Sequence, residues 1–258
     1  MLATEELGNQ IYRAEKTSQP ISPLTETYPD LTPDQAYAAQ LEYVRKRQVD
    51  GAVVKGKKIG LTSKAMQDML GVDRPDYGHL FDDMIFTEGE PVDTSRLIAP
   101  RVEFEIAFVL KADIDGENVS LETVAKAIDY VVPAAEIIDS RIRDWKIKFE
   151  DTVADNGSSA GAVFGKQQVK PDDIDLPSVK MEVFKNGEKL DEGYGSAVLG
   201  NPLEAVVWLA RALHEYGIPL KAGEVVLAGA LTKAVDVKPG DRFKATFENL
   251  GEVDVSFS

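Results

Sequence analysis

The apolar positions of this chain change period as they run, and the changes predict its elements. Leu7, Ile11 and Ala14 recur at helical spacing, as do Tyr37, Leu41 and Val44, which predicts two helices within the first fifty residues. Thr32, Pro33 and Gln35 form a capping-box start for the second helix, Asp50-Gly51 stops it, and a proline-rich connector over residues 19–30 separates the pair. From Val53 onward the pattern shortens to strands and turns, with a brief helix predicted over residues 63–70 and closed by Gly71. Asn186-Gly187, following the alternating Val179, Met181 and Val183, is a two-residue hairpin signal. Phe243, Ala245 and Phe247 alternate with polar residues, as do Val253, Val255 and Phe257, after a Lys238-Pro239-Gly240-Asp241 turn. One clear helix interrupts these strands. It opens on Asn201-Pro202-Leu203-Glu204, carries Val206, Leu209, Ala210 and Leu213, and closes at Gly217. Strands dominate after residue 50 without regular beta-alpha alternation, so the pattern predicts an α+β protein with a mostly antiparallel sheet.

Within that pattern, Glu103 and Glu105 sit two residues apart in the apolar run RVEFEIAFVL. Side chains alternate along a strand, so both carboxylates leave the same face of a segment that asks to be buried. A third, Glu136, lies in the similar run VVPAAEII. Like charges on a dry face need a counter-ion, and a site of oxygen ligands favours Mg2+ or Mn2+. A solvated face, or a pairing with Lys or Arg on a neighbouring strand, explains such an E-x-E pair equally well.

With 258 residues, 43% of them hydrophobic, the chain can bury a large core, and it fits one domain or a domain with a smaller appendage. It has no cysteine, which excludes disulfides, thiol nucleophiles and thiolate metal sites. The charged amino-terminal residues do not form a secretory signal and no apolar run approaches a membrane span, so the expected location is the cytoplasm. A net charge of -15 argues against nucleic acid or an anionic membrane as partner. It also repels a small anionic substrate unless local cations intervene, a bound metal or the cluster Lys55, Lys57 and Lys58 being the candidates.

Other positions are open to two readings. Lys58, beside Ile59-Gly60-Leu61, is drawn inward with its pKa lowered toward proton transfer, or belongs to a solvated basic strand. Asp76 presents a carboxylate beside Tyr77, or is a turn residue. Residues 155–159 form a loop suited to binding a carboxylate or positioning water, or an ordinary turn. Arg141, Arg143, Lys146 and Lys148 read best as a solvated basic helix, the other reading being recognition of a second substrate carboxylate. His214 falls late in its helix, at the surface. No serine elbow, GxGxxG or GxxxxGK[ST] is present, which leaves Ser-His-acid hydrolysis and nucleotide binding without support.

Taken in order, KIGLTSK (58–64), GVDRPDYGHLFDDM (71–84), PRVEFEIAFVL (100–110), PAAEIIDSRI (133–142), DTVADNGSS (151–159) and LAGALTKAV (227–235) span nearly the whole chain. Together they resemble the family of 2-keto-4-pentenoate hydratases, 2-oxohept-4-enedioate hydratases and 4-oxalocrotonate decarboxylases, within the fumarylacetoacetate hydrolase superfamily. The resemblance implies a β-roll catalytic domain over residues 71–258 after an N-terminal helical region over residues 1–70. It implies a divalent cation, Mg2+ or Mn2+, on Glu103, Glu105 and Glu136, catalytic roles for Lys58 and Asp76, and substrate contacts from Asp155, Asn156, Ser158 and Thr232. The chain departs from the pattern at Gly157, where alanine is usual, and at Ala228-Gly229-Ala230, where a threonine often begins the loop.

Acylpyruvate-cleaving members carry an aspartate-threonine-alanine-arginine-aspartate stretch and a histidine between the metal-site acids, and this chain has neither. The decarboxylase branch tends to have isoleucine where Asp76 stands. The implied activity is therefore metal-dependent hydration of 2-hydroxypenta-2,4-dienoate to 4-hydroxy-2-oxopentanoate in aromatic meta-cleavage catabolism, with Lys58 shuttling a proton and Asp76 orienting or deprotonating water. The rivals are 4-oxalocrotonate decarboxylation and a non-catalytic partner subunit. A homo-oligomer, associated with a pathway enzyme, is the assembly the resemblance implies.

Overall fold

The computed structural model describes residues 4–258, apart from the side chain of Met69. Helix α1 (Thr4–Thr17) buries Leu7, Ile11 and Ala14, the stripe its spacing predicts. Helix α3 (Pro33–Val49) follows the short α2 (Leu24–Thr27) and begins with the Thr32/Gln35 capping box. Gly8 lets α1 come so close to α3 that a Cβ there would lie 2.6 Å from the Ala39 carbonyl oxygen. These helices are tied to the rest of the chain. Gln40 of α3, fully buried, donates to the Tyr77 carbonyl at 2.8 Å and the Val153 carbonyl at 2.7 Å.

The sheet begins with β1 (Val54–Gly60), followed by α4 (Lys64–Leu70), β2 (Asp76–Phe81), β3 (Ile85–Phe86), β4 (Arg101–Leu110), α5 (Leu121–Ala127) and β5 (Ile128–Ile138). Helix α6 (Phe149–Ala154) then leads into β6 (Ser159–Phe164). Ser63 caps α4, and Gly71 ends it in the left-handed region. The hairpin of β7 (Lys180–Lys185) and β8 (Glu188–Tyr194) turns on Asn186 and Gly187, both at positive φ as a primed turn requires. Helix α7 (Pro202–His214), capped by Asn201, precedes β9 (Val225–Ala230), β10 (Val235–Asp236), β11 (Arg242–Phe247) and β12 (Gly251–Ser256).

The larger, eight-stranded sheet has the order β2-β1-β9-β4-β5-β6-β3, with β10 also paired to β4, and curls into a half-barrel. The smaller sheet runs β12-β11-β7-β8. All pairings are antiparallel except β1 with β9 and β3 with β6. β4 and β5, buried along most of their length, form the middle of the large sheet, where the core of apolar side chains is continuous. The result is the α+β architecture that the alternating segments predict. Among the described residues no helix is long and apolar enough to cross a membrane.

His79, central in β2 and fully enclosed, has its pKa pushed down to about 3 by burial and by nearby Lys57. A histidine whose folded pKa lies below its unfolded value near 6.5 stabilises the fold above pH 6.5 and loses that contribution as pH falls toward 3. At about 1.4 kcal/mol per pH unit, roughly 2 kcal/mol is expected to be lost between pH 6.5 and pH 5. Urea melts at pH 7 and pH 5 check this, because His79→Gln is expected to flatten the acid limb relative to the wild-type chain.

Candidate active site

The register of the central strands decides which acids meet. Glu103 of β4 is directly opposite Glu136 of β5, and opposite residues in an antiparallel pair share a face. Glu105, two residues on, joins them, and oxygens of all three carboxylates lie within 4.8 Å of one another. On the other side of β9, Gly60 of β1 is opposite Asp76 of β2, so Asp76 shares a face with Lys58. The intervening strand offers only Ala228, Gly229 and Ala230 at this level, and Lys58 Nζ reaches across to Glu136 at 3.5 Å. Five of the residues named from sequence, Lys58, Asp76, Glu103, Glu105 and Glu136, are thus brought together, all buried.

Lys58 Nζ also donates to the Gly157 carbonyl at 3.0 Å. Burial works against its ammonium form, but Glu136, Asp76, Glu103 and Glu105 outweigh it and hold the lysine above its ordinary pKa. The sequence-based expectation of a lowered value is therefore overturned: it weighed desolvation and not the carboxylates that folding gathers around the amine. Of the three clustered lysines, only Lys58 faces this site. Lys57 leaves the opposite face and pairs with Glu224 at 2.9 Å, and Lys55 is exposed.

The acids are strained electrostatically. Burial, then Glu136 and Glu103, push Glu105 well above the usual carboxylate range, and burial pushes Glu136 up to about 7 against the pull of Lys58. Glu103 and Asp76 are raised as well, each mainly by burial. Among the described residues, Oε1 of Glu105 and both oxygens of Glu136 have no hydrogen-bond partner. Buried carboxylate oxygens that converge without hydrogen-bond partners, with only Lys58 as a nearby counter-charge, fit a hard divalent cation, and the cluster holds no nitrogen or sulfur ligand. The remaining Glu105 oxygen accepts from the Gly229 amide at 2.7 Å.

Asp76 is anchored on one side only. Its Oδ2 accepts from Thr152 Oγ1 at 3.2 Å, while Oδ1 has no hydrogen-bond partner among the described residues. Gly60 makes room for this carboxylate, since a Cβ there would lie 2.2 Å from Asp76 Oδ1. Thr152 belongs to α6, a helix that the DTVADNGSS stretch does not announce, and it is the contact that sequence reasoning missed.

The loop that follows is built around two buried anchors. Asp155 does not line the cavity: its carboxylate is held by Arg141 Nε at 2.5 Å, the Arg141 amide at 3.0 Å and Ser140 Oγ at 3.2 Å. Asn156 likewise spends its amide on the His79 backbone, accepting from N at 2.8 Å and donating to O at 2.9 Å. Arg141 itself is buried and also donates to the Asp139 and Ser159 carbonyls. The basic helix expected over residues 141–148 is absent, and a short 3-10 turn (Arg143–Trp145) stands in its place. These anchors force Asn156, Gly157 and Ser158 into three successive left-handed conformations. The turn places Gly157 and Ser158 on the cavity, where Thr232 also lies.

Gly78 permits the approach of this loop, because a Cβ there would lie 2.1 Å from the Asn156 carbonyl oxygen. Gly78→Ala is expected to cost about 1–3 kcal/mol through overpacking against backbone and to displace Gly157 from Lys58. A urea melt together with a turnover assay checks both effects.

The cavity encloses about 470 Å³. Lys58, Asp76, Glu103, Thr152 and Ser158 are among its polar groups, with Arg101 and Lys233 also on the lining, and Leu61, Met66, Leu70, Ile138, Trp145 and Ile147 contribute apolar ones. Such a site can bind a small acid by its polar end, exclude water and move protons between two buried groups of opposite charge.

The chain is similar along its whole length to proteins of known activity. It is 49% identical over 253 residues to a 2-keto-4-pentenoate hydratase of Paraburkholderia xenovorans (strain LB400), covering 98% of this chain and 94% of that one. It is 46% identical over 256 residues to a 2-hydroxyhexa-2,4-dienoate hydratase of Comamonas testosteroni, covering 98% and 97%. Among solved structures, 4-oxalocrotonate decarboxylase from Pseudomonas putida G7, complexed with magnesium and adipate, superposes with a TM-score of 0.97 at 38% identity, covering 100% of this chain and 99% of that one. The family model for the fumarylacetoacetate (FAA) hydrolase C-terminal region matches residues 58–257, the stretch that carries every group of the cavity described above, and the chain belongs to that family.

Proposed function

We propose that the protein is a hydro-lyase that converts 2-hydroxypenta-2,4-dienoate, or a close 2-hydroxydienoate, to the 4-hydroxy-2-oxoalkanoate. The observation that carries this reading is the placement of Lys58, Asp76 and Glu103 on one cavity, with oxygens of Glu105 and Glu136 within 4.8 Å of that of Glu103. The whole-length relatives named as hydratases support it. Glu103, Glu105 and Glu136 would hold Mg2+ or Mn2+, which when bound supplies Lewis-acid stabilisation of negative charge at the carboxylate end of the substrate.

The chain's own groups account for the proton movements. Lys58, kept as an ammonium by its acidic neighbours, donates the proton that C5 gains as the dienol becomes a ketone, and recovers one from the 2-hydroxyl group. The conjugated ketone is then open to water at C4. Asp76, raised by burial and with Oδ1 unpaired among the described residues, orients that water and takes its proton as the oxygen bonds to C4, then returns that proton to C3 of the resulting enolate, while Thr152 fixes the other carboxylate oxygen. Ser158 and Thr232 are positioned to contact substrate, and Asp155 and Asn156 serve by holding the loop. A homo-oligomer acting late in aromatic catabolism is the setting that the family resemblance implies, and a cytoplasmic location suits this cysteine-free chain.

Decarboxylation of 4-oxalocrotonate is the second reading, favoured by the whole-chain superposition on a decarboxylase. Ultraviolet absorbance of 2-hydroxypenta-2,4-dienoate, with and without Mg2+, is followed beside assays for 4-hydroxy-2-oxopentanoate and for carbon dioxide from 2-oxohex-3-enedioate. Metal-dependent hydration establishes the first reading. Carbon dioxide release without hydration replaces it by the second, and silence in both assays rejects both.

A further inference from the structure

The chemistry above uses the polar groups of the cavity and leaves its apolar side without a role. Trp145 stands there on an unfavourable backbone: Asp144 and Trp145 both hold positive φ, at 59° and 55°. Two successive non-glycine residues in the left-handed region are unusual, and a bulky aromatic there more so. The indole is nevertheless fixed from two directions. Its Nε1 donates to the Ala99 carbonyl at 2.9 Å, and the Arg101 guanidinium lies over its ring, 4.4 Å from the centroid. Arg101 is itself bound to Asp236 at 2.9 Å. Neighbouring Arg143 and Lys146 are exposed, so the restraint is particular to the tryptophan.

We propose that Trp145 is a specificity-determining residue, the wall against which the far end of the substrate packs. The apolar surface that it completes with Leu61, Met66, Leu70, Ile138 and Ile147 selects a 2-hydroxydienoate ending in hydrogen or a short alkyl group over one ending in a second carboxylate. The proposal rests on the hydratase reading of the site. A carboxylate set against this surface gives up its water without gaining a donor. Apart from Lys58, which the glutamates engage, the cations on the lining are Arg101, whose guanidinium is held over the Trp145 ring with Nε bound to Asp236, and Lys233, which is exposed to solvent.

Binding and turnover test the idea separately. The chain has two tryptophans, so the emission of wild type against Trp145→Phe isolates the response of Trp145. With Mg2+ present, the unreactive 2-oxohexanoate is expected to alter emission in the wild type and not in Trp145→Phe, and 2-oxoadipate to bind about tenfold or more weakly. Trp145→Ala is expected to raise KM for 2-hydroxyhexa-2,4-dienoate about tenfold, with kcat little changed and Mg2+ affinity retained, and Trp145→Phe to restore most of the loss. Ile147→Arg is expected to shift preference toward 2-hydroxyhepta-2,4-dienedioate, and carries the test if Trp145→Ala does not fold. Equal binding of the two oxo acids, an unchanged KM in Trp145→Ala, or an unchanged preference in Ile147→Arg overturns the proposal. A Trp145 response to 2-oxohexanoate in a protein that hydrates no dienoate sinks the hydratase reading and leaves the tail contact standing.

Discussion

Replacing Glu105 by Gln is expected to abolish metal-dependent turnover and, at the same time, to make the metal-free protein more stable. Glu105 is fully buried, one of its oxygens accepts from Gly229 and the other has no partner among the described residues. Its charge faces Glu136 and Glu103, which raise its pKa along with burial. Glutamine keeps the shape and the Gly229 hydrogen bond and removes the repulsion, so the metal-free fold is expected to gain on the order of 1–3 kcal/mol. A hundredfold excess of Mg2+ over its Kd stabilises a wild-type site by about 2.7 kcal/mol, and this increment is expected to vanish in the variant. Turnover is expected to fall by roughly a thousandfold or more, as when a principal electrostatic group is removed from an active site. Thermal melts with Mg2+ and with chelator, beside the dienoate absorbance assay, read all three effects. A variant that keeps both the Mg2+ response and normal turnover removes Glu105 from the metal site.

Lys58→Met is expected to have the opposite effect on stability. Among the described residues the ammonium is the one cation paired with Glu136, and it lies close to three further acids, Asp76, Glu103 and Glu105. Without it their charges are buried uncompensated, at a cost of about 3–5 kcal/mol in the metal-free state. Mg2+ restores part of that loss, because a cation can then balance the glutamates directly. Restored folding is not expected to restore turnover, which falls by roughly 10²–10⁴ for want of the proton carrier. Mg2+ titration followed by melting temperature, together with kcat in saturating Mg2+, separates the two functions. If kcat survives in the metal-loaded variant, Lys58 is only a counter-ion.

The parts of the fold set by local period and turn chemistry are legible in the sequence, including the two capped helices, the Asn186-Gly187 hairpin and the C-terminal strand pair. The glutamates stand out for the same reason, since alternation alone puts Glu103 and Glu105 on one face. That Glu136 lies opposite Glu103 is not local information. It depends on the pairing register of two strands separated by α5, and a slip of one residue turns the carboxylate to the other face. The state of Lys58 fails to show for a related reason, because acids from β2, β4 and β5 surround it only after folding. Arg141 had a usable signal in its apolar flanks, Ile137, Ile138 and Ile142, but the charges that follow it at irregular spacing mimic a helical face. Asp155 and Asn156 carry the residue types of a binding loop, and only their partners reveal that they fix its conformation. Nothing in the sequence announces Trp145, whose position follows from two left-handed residues and a ring clamped by Ala99 and Arg101.

The reacting groups stand on strands: Lys58 on β1, Asp76 on β2, Glu103 and Glu105 on β4, and Glu136 on β5. Most of the apolar lining comes from between strands, with Met66 and Leu70 on α4 and Trp145 and Ile147 in the segment before α6. Substitutions in these connecting pieces disturb no ladder hydrogen bond and leave the carboxylate register intact. Descendants of this chain can therefore diverge in the acids they accept while inheriting the same reaction, because the two traits are encoded in different stretches of polypeptide.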